Sequence, residues 1–307
     1  MKGIIYKSTG SWYLVRGEDG RFYQARIKGK MKIDREISST NPVAVGDLVV
    51  LEREEGDDAM ITAIEKRGNY IVRVSPHNKH QKHIVAANLD LALLVATVQE
   101  PQTSFGFIDR FLVTAEAYHI PAVLVINKAD LLQDEEGQAV LRHWQQIYTH
   151  AGYPVLTLSA QLPESLTPLK EMLRDKTTLF SGHSGVGKST LINHLIPELD
   201  LRTEIVSEYS GKGQHTTTFA EMFDLPGGGR IIDTPGVKEF GLIDMQQDEL
   251  AEYYPEMRRL LPDCRFANCK HINEPGCAVK AGLPTGLVAA ERYQTYLSIW
   301  ESVEKIW

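Results

Sequence analysis

Two kinds of hydrophobic pattern follow one another along the chain, and they predict two kinds of domain. Up to residue 72, apolar and polar residues alternate over short segments separated by turn residues such as glycine and proline. Alternation of this kind is typical of half-buried strands. It predicts strands at residues 3–6, 12–15, 21–26, 47–51 and 60–64. Five short strands suit a small β-barrel, and we predict a barrel of the oligonucleotide-binding (OB) type over residues 1–72.

From residue 84 the pattern changes to near-continuous apolar runs that alternate with segments of helical periodicity. Strands buried on both faces have such runs, and they are predicted at residues 89–98, 122–126, 155–158 and 177–180. Helices are predicted near residues 108–119, 136–151, 165–175 and 188–196. The alternation indicates a doubly wound α/β domain over residues 84–243. Residues 73–83 are basic and lack periodicity, so we predict a linker there.

A phosphate-binding loop is predicted directly after the last of these strands. Residues 182–189 match the pattern G-x-x-x-x-G-K-[ST], in the strand–loop–helix context that the motif needs. Its glycines let backbone N–H groups approach phosphates, and the helix N-terminus adds partial positive charge. Lys188 would contact the β- and γ-phosphates, and Ser189 would supply a hydroxyl group to Mg²⁺. The predicted loop residues are Gly182, His183, Ser184, Gly185, Val186, Gly187, Lys188, Ser189 and Thr190.

A second motif of nucleotide hydrolases, D-x-x-G, begins at Asp233 at the end of a predicted strand. We expect Asp233 to hold Mg²⁺ through water and the N–H of Gly236 to contact the γ-phosphate. The motif is weak by itself. Its position after the phosphate loop, behind a predicted hairpin of residues 219–225 and 230–232, makes the assignment convincing.

The tetrad Asn127-Lys128-Ala129-Asp130 follows another buried strand and fits the N-K-x-D motif that recognises guanine. Asp130 can accept hydrogen bonds from the N1–H and N2–H₂ groups of guanine, a donor pair that adenine lacks. Asn127 would orient the loop and contact the base, and the stem of Lys128 would pack over the ring. In isolation, Asp130 could equally be a helix N-cap. Together with a phosphate loop, guanine recognition is the better interpretation.

Two further features concern the same site. Ser159 and Ala160 follow the next strand, and their backbone N–H groups would bind the guanine O6. The tetrad also precedes the phosphate loop in the chain, whereas the usual order is the reverse. Because all these loops leave the carboxyl edge of one parallel sheet, relocating the chain termini changes their order and leaves their positions in space unchanged. We therefore predict a circularly permuted GTPase domain.

A threonine-rich segment at residues 210–218 is predicted to supply residues for GTP hydrolysis. Either Thr216 or Thr217 would bind Mg²⁺ there. Val237 stands where many GTPases use a glutamine to orient the attacking water, and valine cannot form that hydrogen bond. His215 is the nearest plausible replacement, because an imidazole can position or deprotonate water. Two alternatives stay open: His215 is structural and a partner completes the site, or the chain senses GTP and scarcely hydrolyses it.

The three cysteines of the chain lie close together near one histidine. The spacing Cys-x₄-Cys-x-His-x₅-Cys places three thiolates and an imidazole within a short segment, which suits a closed tetrahedral Zn²⁺ site with a structural role. The predicted ligands are Cys264, Cys269, His271 and Cys277. We predict a helical zinc-binding domain over residues 244–307. Apolar residues from Leu287 to Val303 recur there at helical spacing, as expected for packing.

Composition and charge narrow the class of protein. The 307 residues are 43% hydrophobic, and no apolar run reaches the ~18 residues of a membrane span. We expect a cytoplasmic protein that does not enter membranes. The net charge of −7 argues against a general nucleic-acid binder, but residues 1–83 carry 15 Lys/Arg against 11 Asp/Glu. The barrel is therefore the better candidate for RNA contact, with Trp12, Tyr13, Phe22 and Tyr23 available for base stacking.

The whole combination resembles the RsgA family of circularly permuted, ribosome-associated GTPases. The resemblance is carried by the tetrad before the loop, G-x-G-Q-H-T-T-T at residues 211–218, D-T-P-G-V at 233–237, the Cys/Cys/His/Cys cluster and the barrel. It implies action late in assembly of the small (30S) ribosomal subunit on 16S rRNA, with GTPase activity that the particle stimulates. It also implies that His215 supports hydrolysis and that residues 182–190 and 127–130 bind GTP. From the residues themselves we add Lys188 and Thr217 as catalytic residues, and we expect GTP/GDP, Mg²⁺ and one structural Zn²⁺ as ligands. We expect a monomer. A regulator acting on tRNA or mRNA through the barrel is the remaining alternative.

Overall fold

The N-terminal strands form a closed barrel. The computed structural model describes residues 1–29, 42–74, 82–199, 220–234 and 245–304. The barrel strands are β1 (Lys2–Ser8), β2 (Tyr13–Gly17), β3 (Phe22–Ile27), β4 (Leu48–Arg53) and β5 (Asp58–Ile64). Their order is β1-β2-β3-β5-β4, with β4 pairing back to β1 and with β3 and β5 parallel. All five predicted strands and the OB-type barrel are confirmed, because side-chain alternation and turn residues determine this part of the fold.

Alternation also separates the four aromatics predicted for base stacking into two classes. Tyr13 and Tyr23 are 1% and 2% exposed and pack in the barrel core, whereas Trp12 and Phe22 are 42% and 44% exposed. Neighbouring residues of a strand point to opposite faces, so one member of each adjacent pair must face outward. Of these four, Trp12 and Phe22 are therefore the two that face solvent. Their rings contact Arg26 and Tyr6, respectively.

The segment predicted as a linker contains the ends of two paired strands. Strands β6 (Tyr70–Val74) and β7 (Lys82–Ala87) form an antiparallel pair in which Arg73 lies opposite His83. The linker prediction is wrong at both ends of residues 73–83, because backbone pairing does not require the hydrophobic periodicity on which the prediction relied. Ile71 and Ala86 are completely buried and pack against the following domain.

The second unit is a mainly parallel sheet with helices on both faces. Its strands, in sheet order, are β10 (Val155–Thr157), β9 (Ala122–Ile126), β8 (Leu91–Ala96), β11 (Thr177–Gly182), β13 (Arg230–Asp233) and β12 (Glu221–Asp224). Only β12 among them is antiparallel to its neighbour. The helices are α1 (Phe105–Ala117), α2 (Glu135–Ala151), α3 (Thr167–Leu173) and α4 (Lys188–Leu195). Along β8, alternate residues enter two separate cores, which explains its continuous apolar run.

The C-terminal unit consists of short helices around the cysteine cluster. Its helices are α5 (Pro255–Leu260), α6 (Ala278–Gly282) and α7 (Ala290–Glu304). The structure differs in part from the predicted apolar packing stripe. Leu287, which was predicted to pack, is 59% exposed, whereas the charged residue Arg292 is only 1% exposed. Arg292 pairs with Asp109 of α1 at 2.6 Å and with Glu256 of α5 at 2.7 Å. This buried ion network fixes α7 against the GTPase domain, since a buried charge must be paired. Within the described ranges, no helix is long and apolar enough to cross a bilayer.

Candidate functional site

The phosphate loop lies between β11 and α4, and glycines are required at two of its positions. Gly182 and Gly187 have φ angles of +154° and +89°. A Cβ atom on Gly182 would lie 2.6 Å from the Val95 carbonyl oxygen, and one on Gly187 would lie 2.4 Å from Nδ2 of Asn127. Larger residues are therefore excluded at both positions. No side chain caps the N-terminus of α4, whose first N–H groups face the loop.

Lys188 and Asp233 meet at the carboxyl edge of the sheet. Lys188 Nζ lies 2.5 Å from Asp233 Oδ1 and donates to the Thr234 carbonyl oxygen at 2.6 Å. The side chains of Lys188 and Asp233 are 12% and 7% exposed, so each neutralises the other in a largely buried setting. Lys188 is the predicted partner of phosphate and Asp233 that of Mg²⁺, so binding of a nucleotide with its metal ion would replace this ion pair. The sequence predicted a role for each residue but not their ion pair.

Asn127 joins the guanine tetrad to the phosphate loop. Its Nδ2 donates to the Val186 carbonyl oxygen at 2.7 Å, and its Oδ1 accepts from the Ala160 N–H at 2.9 Å. The side chain is 1% exposed. Segments separated by 59 residues in the chain are thus held by one buried amide, and the two halves of the predicted nucleotide site lie side by side.

The other residues of the tetrad are half-buried, and two of them form side-chain hydrogen bonds. Lys128 has a left-handed backbone (φ +62°), and its Nζ donates to the Glu100 carbonyl oxygen. Asp130 is half-buried, and its Oδ1 accepts from Ser159 Oγ at 2.5 Å. The N-cap of the turn at residues 129–131 is Lys128, which forms no side-chain capping bond, and Asp134 caps the next helix. Asp130 therefore does not act as a helix cap, and its binding of guanine stays a prediction.

The predicted O6-binding N–H groups lie near the tetrad and already have partners. The N–H of Ser159 donates to Ser165 Oγ at 3.1 Å, and that of Ala160 donates to Asn127. A guanine O6 at this position would have to share the Ala160 donor with Asn127. The role of these two groups stays a prediction.

One contact of the phosphate loop had no signal in the sequence. His183 stacks on Phe107 in the first turn of α1, with ring centroids 3.6 Å apart and an interplanar angle of 29°. Burial lowers the pKa of His183, which favours the neutral form of its ring. The pair anchors the start of the phosphate loop to α1. A contact between residues so distant in sequence produces no hydrophobic periodicity from which it could be predicted.

The donor set at the edge of the sheet fits Mg²⁺. Asp233 offers a carboxylate, and Ser189 in the first turn of α4 offers a hydroxyl group, both oxygen ligands of the kind that Mg²⁺ prefers. The other residues predicted for this step lie outside the described ranges. They are His215, Thr216, Thr217, Gly236 and Val237, and their roles stay predictions.

The Cys/His cluster brings its four predicted ligands together. The ligand atoms of Cys264, Cys269, His271 and Cys277 all lie within 4.8 Å of one another. His271 Nδ1 lies 3.3 Å from Cys277 Sγ and 3.7 Å from Cys264 Sγ. Three sulfurs and one nitrogen at these separations are the donor set of a tetrahedral zinc site. Burial raises the pKa of the Cys269 thiol to about 12, so a cation is needed to stabilise its thiolate.

The surroundings of the cluster connect it to the GTPase domain. Tyr293 and Tyr296 of α7 donate to the carbonyl oxygens of His271 and Lys270 at 2.7 and 2.6 Å. Cys269 and Cys277 belong to the same apolar cluster as Val113 of α1. A metal at this site would fix the packing of α7 on α1, which is a structural role.

The architecture defines the class of protein. Phosphate loop, Asp233 and N-K-x-D tetrad lie on one edge of one sheet, and the tetrad comes first in the chain. This is a circularly permuted P-loop GTPase.

Comparisons with known proteins give the family. The profile of the RsgA GTPase matches residues 64–243, and that of the RsgA N-terminal domain matches residues 2–61. The small ribosomal subunit biogenesis GTPase RsgA of Flavobacterium johnsoniae is 50% identical over 99% of this chain and 94% of its own, and that of Bacteroides fragilis is 48% identical over 99% and 98%. The chain belongs to the RsgA family of GTPases.

Solved structures agree with this assignment. The crystal structure of YjeQ from Thermotoga maritima matches with a TM-score of 0.80 and 31% identity, over 99% of this chain and 98% of that one. YloQ, described as a circularly permuted GTPase, matches with a TM-score of 0.76 and 29% identity, over 99% and 94%. The sequence-based recognition of the family and of its GTPase activity is confirmed, and the activity implies GTP, GDP and Mg²⁺ as ligands.

Proposed function

We propose that this chain binds the small (30S) ribosomal subunit late in its maturation and hydrolyses GTP there, with the particle and its 16S rRNA stimulating the reaction. The observation that supports this most is similarity over nearly the whole chain to proteins named for biogenesis of the small ribosomal subunit. The barrel with two exposed aromatics, and the zinc unit packed on α1 of the GTPase domain, offer surfaces for such a particle.

We propose that one GTP lies across the tetrad and the phosphate loop. Asp130 binds the guanine donors and Lys188 binds the β- and γ-phosphates. Asn127 keeps the two halves in register through its bonds to Val186 and Ala160. The other binding residues are Lys128, Ala129, Ser159, Gly182, His183, Ser184, Gly185, Gly187, Ser189, Thr190, Thr216, Asp233 and Gly236.

For hydrolysis, we propose His215, Lys188 and Thr217 as the catalytic residues. Mg²⁺ held by Ser189 and Asp233 would neutralise charge on the transferred phosphoryl group. Lys188 leaves Asp233 to bind phosphate, which frees the carboxylate for the metal. His215 positions or deprotonates the attacking water, because Val237 offers it no hydrogen bond. One structural Zn²⁺ at Cys264, Cys269, His271 and Cys277 holds the C-terminal unit.

The test is single-turnover GTP hydrolysis by the purified chain alone, with 30S particles and with 50S particles. We expect the rate constant to rise with 30S concentration and to stay at its basal value with 50S. A Lys188→Ala chain measured in parallel gives the background of contaminating nucleotidases. An equal rate in all three mixtures would favour the rival function, a GTP-sensing binding module, for which Val237 is the supporting residue.

A further inference from the structure

The barrel and the GTPase domain share a continuous sheet. Strand β1 of the barrel pairs with β12, so that the two sheets form one of eleven strands. At the junction, Lys7 lies directly opposite Glu221, and Lys7 Nζ is 2.8 Å from Glu221 Oε2. Strand β12 and its partner β13 form the hairpin that ends at Asp233. The barrel is therefore attached to the same hairpin that carries a residue of the GTP site.

A second contact of β1 fixes the other end of this hairpin. Tyr6 is 3% exposed, and its hydroxyl donates to Asp224 Oδ1 at 2.7 Å. The same hydroxyl accepts from Arg230 Nε at 3.2 Å and from Arg16 at 3.3 Å. Asp224 and Arg230 are cross-strand partners at the turn end of β12 and β13. One tyrosine of the barrel thus binds both strands of the hairpin.

The strand register places the Lys7–Glu221 pair beside Asp233 of the GTP site. Glu221 lies directly opposite Asp233, and Lys7 lies opposite Glu221. Side chains of directly opposed residues share one face of a sheet, and like charges placed this way repel. The carboxylate of Glu221 therefore adds negative potential at Asp233, and the ammonium group of Lys7 partly cancels it. Asp233 itself is paired with Lys188.

We propose that strand β1 of the barrel is a positioning element of the GTPase site. Tyr6 fixes the hairpin, and the Lys7–Glu221 pair sets the charge beside Asp233 and thereby the affinity of the site for Mg²⁺. The inference rests on the proposed role of Asp233 in holding Mg²⁺ and needs no ribosomal partner. A movement of the barrel on binding any partner would then be transmitted to the hydrolytic site through strands β1, β12 and β13.

The first test uses the sign of an electrostatic effect. Lys7→Met leaves Glu221 unneutralised and should lower the Mg²⁺ concentration at which a fluorescent, non-hydrolysable GTP analogue is half-bound. Glu221→Gln removes negative charge and should raise it. We expect shifts of about two- to tenfold, because both side chains are partly exposed and screened. Loss of a merely structural contact would move both variants in the same direction. Asp233→Asn, measured in parallel, reports whether Asp233 takes part in Mg²⁺ binding.

The second test uses a matched pair of tyrosines. Tyr6→Phe removes the hydroxyl that binds the hairpin, and Tyr23→Phe removes a similar bond inside the barrel, from Tyr23 to Asp19 at 2.7 Å. In partner-free GTP hydrolysis, we expect Tyr6→Phe to lower kcat by about 2- to 30-fold with little change in KM, as for a displaced coupled element. Tyr23→Phe should leave kcat unchanged. Thermal unfolding of both variants shows whether their stabilities match.

The two tests together distinguish the proposal from a purely structural role of these contacts. Opposite Mg²⁺ shifts for Lys7→Met and Glu221→Gln, with a kcat loss for Tyr6→Phe alone, support the proposal. Mg²⁺ shifts that are absent or of the same sign overturn it, as does a Tyr6→Phe kcat equal to that of Tyr23→Phe. Should Tyr6→Phe fail to fold, Asp224→Asn replaces it, since the Asp224 side chain is 42% exposed and its change is tolerated more easily. An unchanged Mg²⁺ requirement in Asp233→Asn would instead locate the failure in the proposed role of Asp233.

Discussion

Asn127 is the residue whose removal most directly probes the joint between the two halves of the nucleotide site. Its amide bonds to the Val186 carbonyl oxygen at 2.7 Å and to the Ala160 N–H at 2.9 Å, in a fully buried position. In Asn127→Ala both backbone groups lose their partner. The phosphate loop and the loop after β10 are then free to separate.

The magnitude follows from these two bonds. A buried polar group left unsatisfied costs about 1–3 kcal/mol, so the two unpaired groups together cost about 2–6 kcal/mol of folding free energy. Hydrogen bonds from these groups to water would reduce this cost. Distortion of the phosphate loop adds a loss of GDP affinity. If about 2 kcal/mol of the cost appears in binding, the dissociation constant rises about 30-fold.

The assay is equilibrium titration with a fluorescent GDP analogue, combined with thermal unfolding of the nucleotide-free chain. Asn69→Ala is the matched control, because the Asn69 amide also bridges two backbone groups, the carbonyl oxygen and the N–H of Leu89, at 2.8 and 2.7 Å. We expect both variants to lose stability and only Asn127→Ala to lose GDP affinity. Equal GDP affinity in the two variants would refute the reasoning that Asn127 holds the site together.

The other predictions concern the base, the catalytic step and the metal. Asp130→Asn should lower the GTP/ATP affinity ratio, because the carboxylate is the acceptor for the guanine donor pair; competition binding checks this, and an undiminished ratio contradicts it. His215→Ala should bind GTP as the parent does but hydrolyse it more slowly, and a normal single-turnover rate would move that role to another residue. Metal analysis should find one zinc per chain, and removal by a strong chelator should lower the melting temperature; no bound zinc, or unchanged melting, would count against the site. Arg292→Met should destabilise the fold by about 3–5 kcal/mol in chemical denaturation, since it leaves two buried carboxylates unpaired, and a change below about 1 kcal/mol would show that they do not depend on it.

Much of the fold could be predicted because its causes are local. Alternation of apolar residues produced the five barrel strands, and continuous apolar runs produced the strands of the parallel sheet. The motifs of the nucleotide site are equally local, since a phosphate loop needs its glycines and lysine at fixed spacing. The four predicted zinc ligands lie within one short segment of the chain, so their spacing alone indicates that they come together.

What could not be predicted depends on pairing between distant segments. The bond from Asn127 to Val186, the stack of His183 on Phe107 and the ion pair of Lys188 with Asp233 have no periodic signal in the chain. Neither does the attachment of Lys7 to the β12–β13 hairpin. These contacts arise from topology, and they are the contacts that convert separate motifs into one site.

The central claim is that Asp130 and Lys188 bind one and the same guanine nucleotide, although they are far apart and reversed in chain order. A crystal structure of the chain with GDP and Mg²⁺ tests it most directly. The account predicts the Asp130 carboxylate within hydrogen-bond distance of guanine N1 and N2, and Lys188 Nζ on the β-phosphate of the same molecule. A nucleotide that contacts only one of these two residues would contradict it.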